Sequence, residues 1–232
     1  MLDKELVKKN FKKSIITYPD NAKIQLEIAQ KLASFVSGHF DNILEIGSYS
    51  GFLTKELVRK LEFKNYLALD IINSYDCIKN LDSRITFLQG DIEEIELKNK
   101  FDLIVSSSSL QWCADFKNTI KKLKSYLTPG GRLLIAIFGK KKLYQIKEVF
   151  GISLNYPDIS ELRGLFSPDA KIIEELKTLQ FQNPREVLRH LKYTGVNSLK
   201  NNKTYLEIKE SLKILSNEFQ NRLTYNPLYI ID

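Results

Sequence analysis

The residues best placed to do chemistry in this chain lie around a short turn rich in small side chains. An apolar run from Asn42 to Ile46 leads into the turn, and Glu45 precedes its first glycine. The small residues that a ligand would contact are Gly47, Ser48 and Gly51. A strand that enters such a turn and continues into a helix lets backbone N–H groups approach a ligand closely. The pattern predicts a nucleotide-binding turn, with a plain strand-to-helix connection as the alternative.

A second carboxylate follows the next apolar run, Tyr66 to Leu69, at Asp70. In nucleotide-binding βαβ units, an acidic residue at the end of the second strand binds the ribose hydroxyls. Asp70, with its neighbour Ile71, is therefore expected to bind the adenosine moiety of the ligand. An ordinary turn aspartate is the alternative, because strand ends commonly carry Asp.

The glycine spacing separates two classes of nucleotide ligand. Binding of NAD requires three glycines in a G-x-G-x-x-G pattern, and only Gly47 and Gly51 are present here. The segment instead resembles motif I of class I S-adenosylmethionine-dependent methyltransferases, Glu/Asp-x-Gly-x-Gly-x-Gly, with Tyr49 replacing the middle glycine. The resemblance implies S-adenosylmethionine as the cofactor. Tyr49 is expected to narrow the pocket or to require a negative φ at the turn.

A third acidic residue, Asp91, follows the apolar run Ile85 to Leu88. The segment Gln89-Gly90-Asp91-Ile92 resembles the Gly-Asp-hydrophobic motif of the same family. That motif's aspartate accepts the adenine amino proton, and its next side chain covers the ring, so the resemblance adds Asp91 and Ile92 to the cofactor site. Asp91 and Glu94 also have the spacing of a capping box, so a helix start is the alternative.

The apolar run Phe101 to Val105 predicts a strand that ends at the reaction centre, because ligands bind outside the carboxyl ends of strands in open α/β sheets. Ser106 is therefore assigned to the cofactor site, and the residues through Leu110 are expected to line the reaction centre. The Asp/Asn-Pro-Pro-Tyr signature of amino methylation is absent there. This absence argues against methylation of a nucleic-acid base.

The composition is that of a folded domain with a basic surface. The chain has 232 residues, 43% of them hydrophobic, which suits one domain with an elaboration. Lys and Arg number 35 against 28 Asp and Glu, and the net charge of +7 favours an anionic partner: an acidic protein, a nucleic acid or a charged small molecule. Cys77 and Cys113 lack a metal-ligand spacing, so no metal is expected. The longest apolar run, Leu133 to Phe138, is too short to span a bilayer, and the expected location is cytoplasmic.

Alternating apolar runs and helix-length segments predict the scaffold. Strands are predicted at residues 42–46, 66–69, 85–88, 101–105 and 132–138, with helices at 22–36, 51–61 and 116–126. This alternation predicts an α/β domain with a mostly parallel sheet. The resemblance implies a Rossmann-like class I methyltransferase fold, with seven strands and helices on both faces. Thr128-Pro129-Gly130-Gly131 predicts a turn before the fifth strand and resembles that family's Leu-x-Pro-Gly-Gly turn.

The remaining segments complete a single predicted domain over residues 1–232. Lid helices are expected at about 1–38 and a small inserted cap at about 139–169. A sheet-like element is predicted at Lys177 to Phe181, and a helix begins at Pro184 and runs through Lys192. Lys203 to Phe219 contains an amphipathic helix, and Leu223 to Ile231 is predicted as one last strand.

A narrower resemblance begins at Gln111-Trp112-Cys113. This segment resembles the Val-Gln-Trp-Cys segment of the malonyl-acyl-carrier-protein O-methyltransferase family of biotin synthesis, in which Ser-Asn usually stands where this chain has Ser106-Ser107. The resemblance extends along nearly the whole chain through three further segments, Phe11-x-x-Ser-x-x-x-Tyr18, Pro184 to Val196, and Leu223-Thr224-Tyr225. Lys142 to Ile146 only loosely matches the family's Gly-Ser/Thr-Leu-x-Glu-Leu, so the cap departs most.

This resemblance implies transfer of a methyl group from S-adenosylmethionine to the free carboxylate of malonyl-acyl carrier protein, an acidic partner. Because that carboxylate is already ionised at neutral pH, the reaction requires alignment and no general base. The candidates for positioning the carboxylate, from their places in the matching segments, are Tyr18, Gln111, Arg185, Arg189 and Lys192. The last three share one helical face, which would equally suit the carrier protein or plain solvation.

Two other functions stay open at this stage. The departure in the cap allows another small acid or a quinone-type ring as the methyl acceptor. Tyr49 and Ser107 allow a catalytically silent, methyltransferase-like binding module. Nucleic-acid binding ranks below both, because no aromatic and basic reading motif accompanies the lysines. The sequence does not decide the oligomeric state.

Overall fold

Strands and helices alternate along most of the chain. The computed structural model describes residues 3–151, 153–154, 156–196 and 204–232. The strands are β1 (His39–Ile46), β2 (Glu62–Asp70), β3 (Ile85–Gln89), β4 (Phe101–Ser107), β5 (Leu127–Phe138), β6 (Lys171–Glu174), β7 (Lys177–Gln180), β8 (Arg222–Tyr225) and β9 (Pro227–Ile231). The helices are α1 (Lys4–Ser14), α2 (Tyr18–Asn21), α3 (Lys23–Ser34), α4 (Phe52–Lys60), α5 (Tyr75–Ile78), α6 (Phe116–Ser125), α7 (Tyr144–Phe150), α8 (Ile159–Arg163), α9 (Pro184–Tyr193) and α10 (Tyr205–Asn217). A short 3₁₀ helix covers Leu110–Trp112.

Seven of these strands form one sheet in the order β3-β2-β1-β4-β5-β9-β6. Strands β1 to β5 are parallel, and β9 runs antiparallel to both of its neighbours. The predicted mostly parallel, seven-stranded sheet is confirmed. Its strand order reverses beside β1, so the carboxyl ends of β1 and β4 flank the crevice in which such sheets bind ligands.

Two apolar cores cover the two faces of this sheet. Ile43 and Leu44 are adjacent in β1 and both fully buried, and they belong to different cores because successive strand side chains point to opposite faces. Helices α3 and α4 pack on the face of Ile43, and α6 and α8 pack on the face of Leu44. The predicted placement of helices on both faces is confirmed.

The prediction of one last strand from Leu223 to Ile231 is wrong. Asn226 divides this segment, and β8 pairs with β7 in a separate two-stranded sheet while β9 joins the main sheet. The side chain of Asn226 accepts a hydrogen bond from the backbone N–H of Lys141 and donates to Glu174. These bonds hold the break in place, and Pro227 has no N–H with which to continue the ladder across it.

The predicted turn at residues 128–131 is also placed differently. Thr128 to Gly131 lie within the bounds of β5, where the pairing with β4 jumps from Leu127 to Arg132. Strand β5 begins before the glycines, because Leu127 already pairs with Phe101 of β4. Residues 128–131 therefore form an irregularity inside the ladder between β4 and β5. Gly130 takes the positive φ that this irregularity requires.

The elements outside the sheet follow the predicted order. Helices α1, α2 and α3 lie within residues 1–38, where the lid is predicted, and α7 and α8 lie within residues 139–169, where the cap is predicted. The helix predicted within Lys203 to Phe219 is α10, and Lys203 itself lies outside the described residues. Within the described ranges, every helix falls short of the length and apolar character needed to cross a bilayer.

The turn after β1 depends on a glycine for two reasons. Gly47 has a φ of 77°, and a Cβ added there would lie 2.1 Å from Ser109 Oγ. The backbone N–H of Gly47 donates to the carbonyl of Leu69 at 2.7 Å, so the turn is also held against the end of β2. A side chain at this position would push apart two of the loops that form the crevice.

We expect Gly47→Ala to destabilise the fold more than Gly130→Ala. Both glycines have a φ of 77°, so the backbone cost of roughly 1–2 kcal/mol is common to both substitutions. Nothing lies within 4 Å of a Cβ at Gly130, whereas the clash with Ser109 should add about 1–3 kcal/mol at Gly47. Urea unfolding measures the difference, and Ser109→Gly should restore the added loss in the double variant. Equal losses at the two glycines would contradict the close packing of Ser109 against the turn.

Candidate active site

The predicted cofactor residues meet at the carboxyl edge of the sheet, in two adjoining depressions of about 100 and 60 Å³ that we call the cofactor cleft. Seven of the nine line it: Glu45, Gly47, Ser48, Asp70, Ile71, Asp91 and Ile92. Gly51 lies behind it, where a φ of 73° lets the chain enter α4 beside Ile78. The topology thus brings together residues from the ends of β1, β2 and β3.

Asp70 is the anchor of this cleft. Its carboxylate accepts hydrogen bonds from the backbone N–H groups of Tyr49, at 2.9 Å, and Ile72, at 3.0 Å. Burial raises the pKa of this carboxyl to about 6, although the two N–H groups favour the charged form. Near neutral pH, Asp70 therefore presents a carboxylate that can accept the hydroxyl protons of a ribose.

Glu45 lies deeper in the cleft wall and is 1% exposed. One of its carboxylate oxygens, Oε2, accepts hydrogen bonds from Thr54 and from Tyr66, both at 2.6 Å. Burial raises the pKa of Glu45 to about 7, and the nearby charge of Asp70 acts in the same direction. Glu45 therefore ties α4 and β2 to β1 and contributes polarity to the cleft at the same time.

Three buried polar atoms in the cleft have no hydrogen-bond partner among the described residues: Gln25 Oε1, Ser48 Oγ and Ser108 Oγ. Buried polar groups are normally satisfied, so three such atoms on one cleft indicate a polar ligand. Acceptors of this kind suit the ammonium group of an amino-acid tail such as that of S-adenosylmethionine. Gln25 is not among the cofactor residues predicted from the sequence, because its place on the buried face of α3 is typical of a core residue.

The four serines at the end of β4 and just after it divide into one that bonds within the sheet and three that line the cleft. Ser106 was assigned to the cofactor, but it is 1% exposed, does not line the cleft, and donates its hydroxyl to the carbonyl of Ile46 at 2.9 Å. The cleft is lined instead by Ser107, Ser108 and Ser109. The side chain of Ser106 bonds to β1 within the sheet. The serines that line the cleft therefore begin at Ser107, one residue after the predicted position.

Asp91 lies on the cleft floor, and its alternative role as a helix start is not observed. Its side chain accepts from the backbone N–H of Glu93 at 3.0 Å, and the following residues form a turn without a helix. The ammonium of Lys4, from α1, lies 2.5 Å from carboxylate oxygens of both Asp91 and Glu93. Burial opposes the charge on Lys4, but the two carboxylates raise the pKa of its ammonium overall. An adenine on Asp91 would have to compete with this lysine.

Tyr49 connects the glycine turn to the N-terminal helices. Its φ is 30°, so the expectation of a negative φ is wrong, and the left-handed turn is kept with a large side chain. Its hydroxyl donates to the carbonyl of Phe11 at 2.7 Å and lies 3.1 Å from Ser14 Oγ. Its ring packs edge-on against Tyr18, with centroids 4.7 Å apart. These contacts offset the unfavourable backbone conformation and close α1 over the cleft.

The closed lid leaves the cofactor cleft small. Pockets for ligands usually measure about 300–1,000 Å³, and each depression of the cleft is well below that range. Lys4, Val7 and Phe11 of α1 all line its outer side. We therefore expect α1 to move when a ligand of nucleotide size enters.

A larger cavity of about 370 Å³ adjoins the cleft, and we call it the acceptor cavity. Trp112 lines both spaces, so its side chain forms part of the wall of each. The walls of the acceptor cavity are mainly apolar and come from α7, α9 and the segment between α7 and α8. An acyl chain would fit such an apolar surface.

The five positioning candidates occupy different places. Tyr18 lines the cofactor cleft, and Lys192 lines the acceptor cavity. Gln111 lines neither space and donates to the carbonyl of Ser108 at 2.6 Å, so it shapes the serine loop. Arg185 and Arg189 are exposed on α9 and also lie outside both spaces. The five candidates therefore do not come together around a single site for the acceptor.

Comparison with known proteins agrees with this arrangement of cleft and sheet. The family model of the methyltransferase domain matches residues 44–135, which run from the end of β1 into β5 and include all nine predicted cofactor residues. The YcgJ protein from Bacillus subtilis has the same fold, with a TM-score of 0.64 at 14% identity over 90% of this chain and 97% of that one. The N-methyltransferase NodS from Bradyrhizobium japonicum, solved with S-adenosyl-L-homocysteine, gives a TM-score of 0.56 at 15% identity over 97% and 98% of the two chains.

Two curated relatives are similar over almost their whole length. The malonyl-[acyl-carrier protein] O-methyltransferase of Calditerrivibrio nitroreducens is 35% identical over 97% of this chain and 94% of its own. The protein of the same name from Bacteroides thetaiotaomicron is 31% identical over 99% of this chain and 98% of its own. The match therefore includes the lid and cap regions as well as the sheet.

We expect affinity for S-adenosylhomocysteine to fall as the pH drops through about 6, because protonated Asp70 loses acceptor capacity towards the ribose. The fall should approach tenfold per pH unit below the pKa. The raised pKa has the opposite effect on the ligand-free fold: its contribution to stability is present at low pH and is lost as the pH rises through 6.

Calorimetric titration between pH 5 and 8 measures the affinity. Asp70→Asn should bind about 10- to 100-fold more weakly at neutral pH, since a hydrogen bond to a charged group is lost. A pH dependence that this variant keeps near pH 7 agrees with titration of Glu45, whose pKa burial raises to about 7. Unchanged affinity in Asp70→Asn would exclude the ribose role.

We expect Tyr49→Phe to loosen α1 while the sheet stays intact. Loss of the hydrogen bond to the Phe11 carbonyl should speed amide hydrogen exchange over residues 4–14 roughly 2- to 10-fold. Tyr75→Phe is the matched control, because Tyr75 is 46% exposed on α5 and its ring contacts Phe87 of β3. Identical amide hydrogen exchange over residues 4–14 in both variants would contradict the proposal that Tyr49 holds α1 in place.

Proposed function

The chain belongs to the malonyl-[acyl-carrier protein] O-methyltransferase family, and from this premise we propose that it methylates the free carboxylate of malonyl-acyl carrier protein to the methyl ester. It is an S-adenosylmethionine-dependent O-methyltransferase. We place the step in biotin synthesis, as the sequence resemblance implies. The observation that carries the proposal is the 35% identity to a relative of that name over 97% of the chain.

The bound cofactor supplies an electrophilic methyl group on a sulfonium sulfur. With the cofactor held at Asp70 and the neighbouring polar atoms, the cleft would present this methyl group to an acceptor carboxylate, which would supply the electron pair for the new O–CH₃ bond in exchange for the methyl–sulfur bond. No proton moves, because the carboxylic acid is already ionised at neutral pH. The chain therefore needs no general base, and proximity and alignment are the main contributions of the protein.

The residues of the cleft divide this work between them. Asp70 binds the ribose, and Gln25, Ser48 and Ser108 offer polar atoms to the amino-acid tail. The aromatic rings of Phe11 and Trp112, whose centroids are 5.5 Å apart, line the cleft and would shield the reacting atoms from water. A dry site favours the reaction, because opposite charges on carboxylate and sulfonium disappear together in the transition state.

The carrier protein is expected to approach the side of the molecule that bears α9. Arg185, Arg189 and Lys192 are exposed on that helix, and Lys192 also lines the acceptor cavity. An acidic partner would be attracted to this face, and the net charge of +7 favours the encounter. The thioester arm would then reach the acceptor cavity past Lys192.

Methyl transfer from labelled S-adenosylmethionine to malonyl-acyl carrier protein tests the proposal. We expect label in the malonyl protein and none in acetyl-acyl carrier protein, which lacks a free carboxylate. The new ester should be released by mild base as labelled methanol.

Affinity for S-adenosylhomocysteine, measured on the same preparation, is the control. Cofactor binding without transfer to the malonyl protein would overturn this acceptor and leave a small acid or quinone-type ring to be tested. Absence of cofactor binding would contradict the enzymatic function itself.

A further inference from the structure

Three consecutive lysines after β5 have opposite environments. Lys140 and Lys141 are exposed, and their ammonium groups lie 2.6 Å from Asp158 and 3.4 Å from Glu174 respectively. Lys142 is 2% exposed. The first two behave as a charged run normally does, as part of a solvated surface, whereas the third turns inward.

The backbone around Lys142 explains this inward turn. Its N–H donates to the carbonyl of Gly139, and the N–H of Leu143 donates to the carbonyl of Thr224 at 2.7 Å. Leu143 has a φ of 50°, a conformation that side chains other than glycine rarely adopt. The tight connection between β5 and α7 is thus held against β8 and directs the Lys142 side chain into the interior.

Lys142 is one of the residues that line the acceptor cavity, and its ammonium has no polar partner in the described parts of the chain. It lies 3.6 Å from the centroid of the Phe138 ring and 5.4 Å from that of Tyr156. Burial alone lowers the pKa of this ammonium to about 7. The other titratable side chains described in the cavity wall are Tyr156 and Lys192, and neither provides a negative charge at neutral pH.

An unpaired buried ammonium is unfavourable for the fold, and two ring faces compensate only part of the lost hydration. Methionine would fill the same space without this cost. A lysine kept in an otherwise apolar cavity therefore points to a ligand that carries the missing negative charge. The cavity and the cofactor cleft share Trp112 in their walls, so a ligand in the cavity would lie next to the cleft in which we expect the methyl donor to bind.

We propose that Lys142 binds the carboxylate of the acceptor acyl group inside the acceptor cavity and thereby selects a malonyl thioester over acyl groups without a terminal charge. This inference rests on the proposed function and assigns the residue that holds its substrate. One carboxylate oxygen pairs with the ammonium, and the other is left to attack the methyl group.

The same pairing accounts for product release. Methylation converts the carboxylate into a neutral ester, and the ion pair with Lys142 is lost in the same step. The product then offers the ammonium only a weak ester acceptor. Lys142 therefore favours the substrate over the product by charge alone.

The test compares Lys142→Met with Lys141→Met, which removes the same charge from an exposed neighbour. Trp112 is the only tryptophan of the chain, so its fluorescence reports occupation of the acceptor cavity. The probes are S-malonyl-N-acetylcysteamine and S-acetyl-N-acetylcysteamine, titrated in the presence of S-adenosylhomocysteine. The wild type and Lys141→Met should bind the malonyl probe more tightly than the acetyl probe.

Lys142→Met should lose this preference, with malonyl affinity lower by about 10- to 100-fold and acetyl affinity unchanged. Its KM for malonyl-acyl carrier protein should rise by a similar factor, while its affinity for S-adenosylhomocysteine stays at the wild-type value. Its midpoint of thermal unfolding should rise at neutral pH, because an unpaired buried charge is removed. Lys142→Arg keeps the cation and should retain the malonyl preference.

Failure of this inference differs from failure of the proposed function. Wild-type protein that methylates malonyl-acyl carrier protein, together with a Lys142→Met variant of unchanged KM and unchanged probe preference, would overturn the role of Lys142 alone. Wild-type protein that does not methylate malonyl-acyl carrier protein would overturn the proposed function, and the probe titration would still decide whether Lys142 binds a carboxylate.

Discussion

The hydrogen bond from the backbone N–H of Tyr49 to the buried carboxylate of Asp70 is the constraint on which the cofactor site depends. It joins the glycine turn after β1 to the end of β2, and the N–H of Gly47 adds a second link to Leu69. Parallel strands bring these ends to one edge of the sheet, but the two bonds determine how closely they approach. Backbone N–H groups hold the buried carboxylate of Asp70 in place. Its two oxygens can together accept more than these two hydrogen bonds, so capacity is left for a ligand.

Tyr49 extends this constraint to the lid. A glycine at this position would adopt the turn with less strain, but it would offer nothing to Phe11, Ser14 and Tyr18. The tyrosine adopts a left-handed backbone conformation, and its hydroxyl and ring both contact Phe11 of α1 and so hold that helix over the cleft. The departure from the usual glycine thus changes how the cleft is covered and leaves the turn itself intact.

The lysines near the two spaces differ in whether a carboxylate pairs with them. Lys4 lies between Asp91 and Glu93 at the cleft, and Lys140 and Lys141 pair at the surface. Lys142 has only aromatic faces beside it in the described structure. Paired charges stabilise the closed lid and the cap, whereas the unpaired one makes the acceptor cavity receptive to a carboxylate. The net charge of the chain does not show which lysines are paired with carboxylates and which one is not.

The sequence by itself determined the parallel sheet, the glycine turn, and the carboxylates at the strand ends, because each follows from local rules of periodicity and backbone conformation. The match to the family added the cofactor and the acceptor. Tertiary structure alone decided that Ser106 faces β1 while the serines after it face the cleft, that Asn226 divides the last strand, and that Lys142 turns inward while Lys141 stays in solvent. These outcomes depend on contacts with residues distant in the chain, which no local pattern encodes.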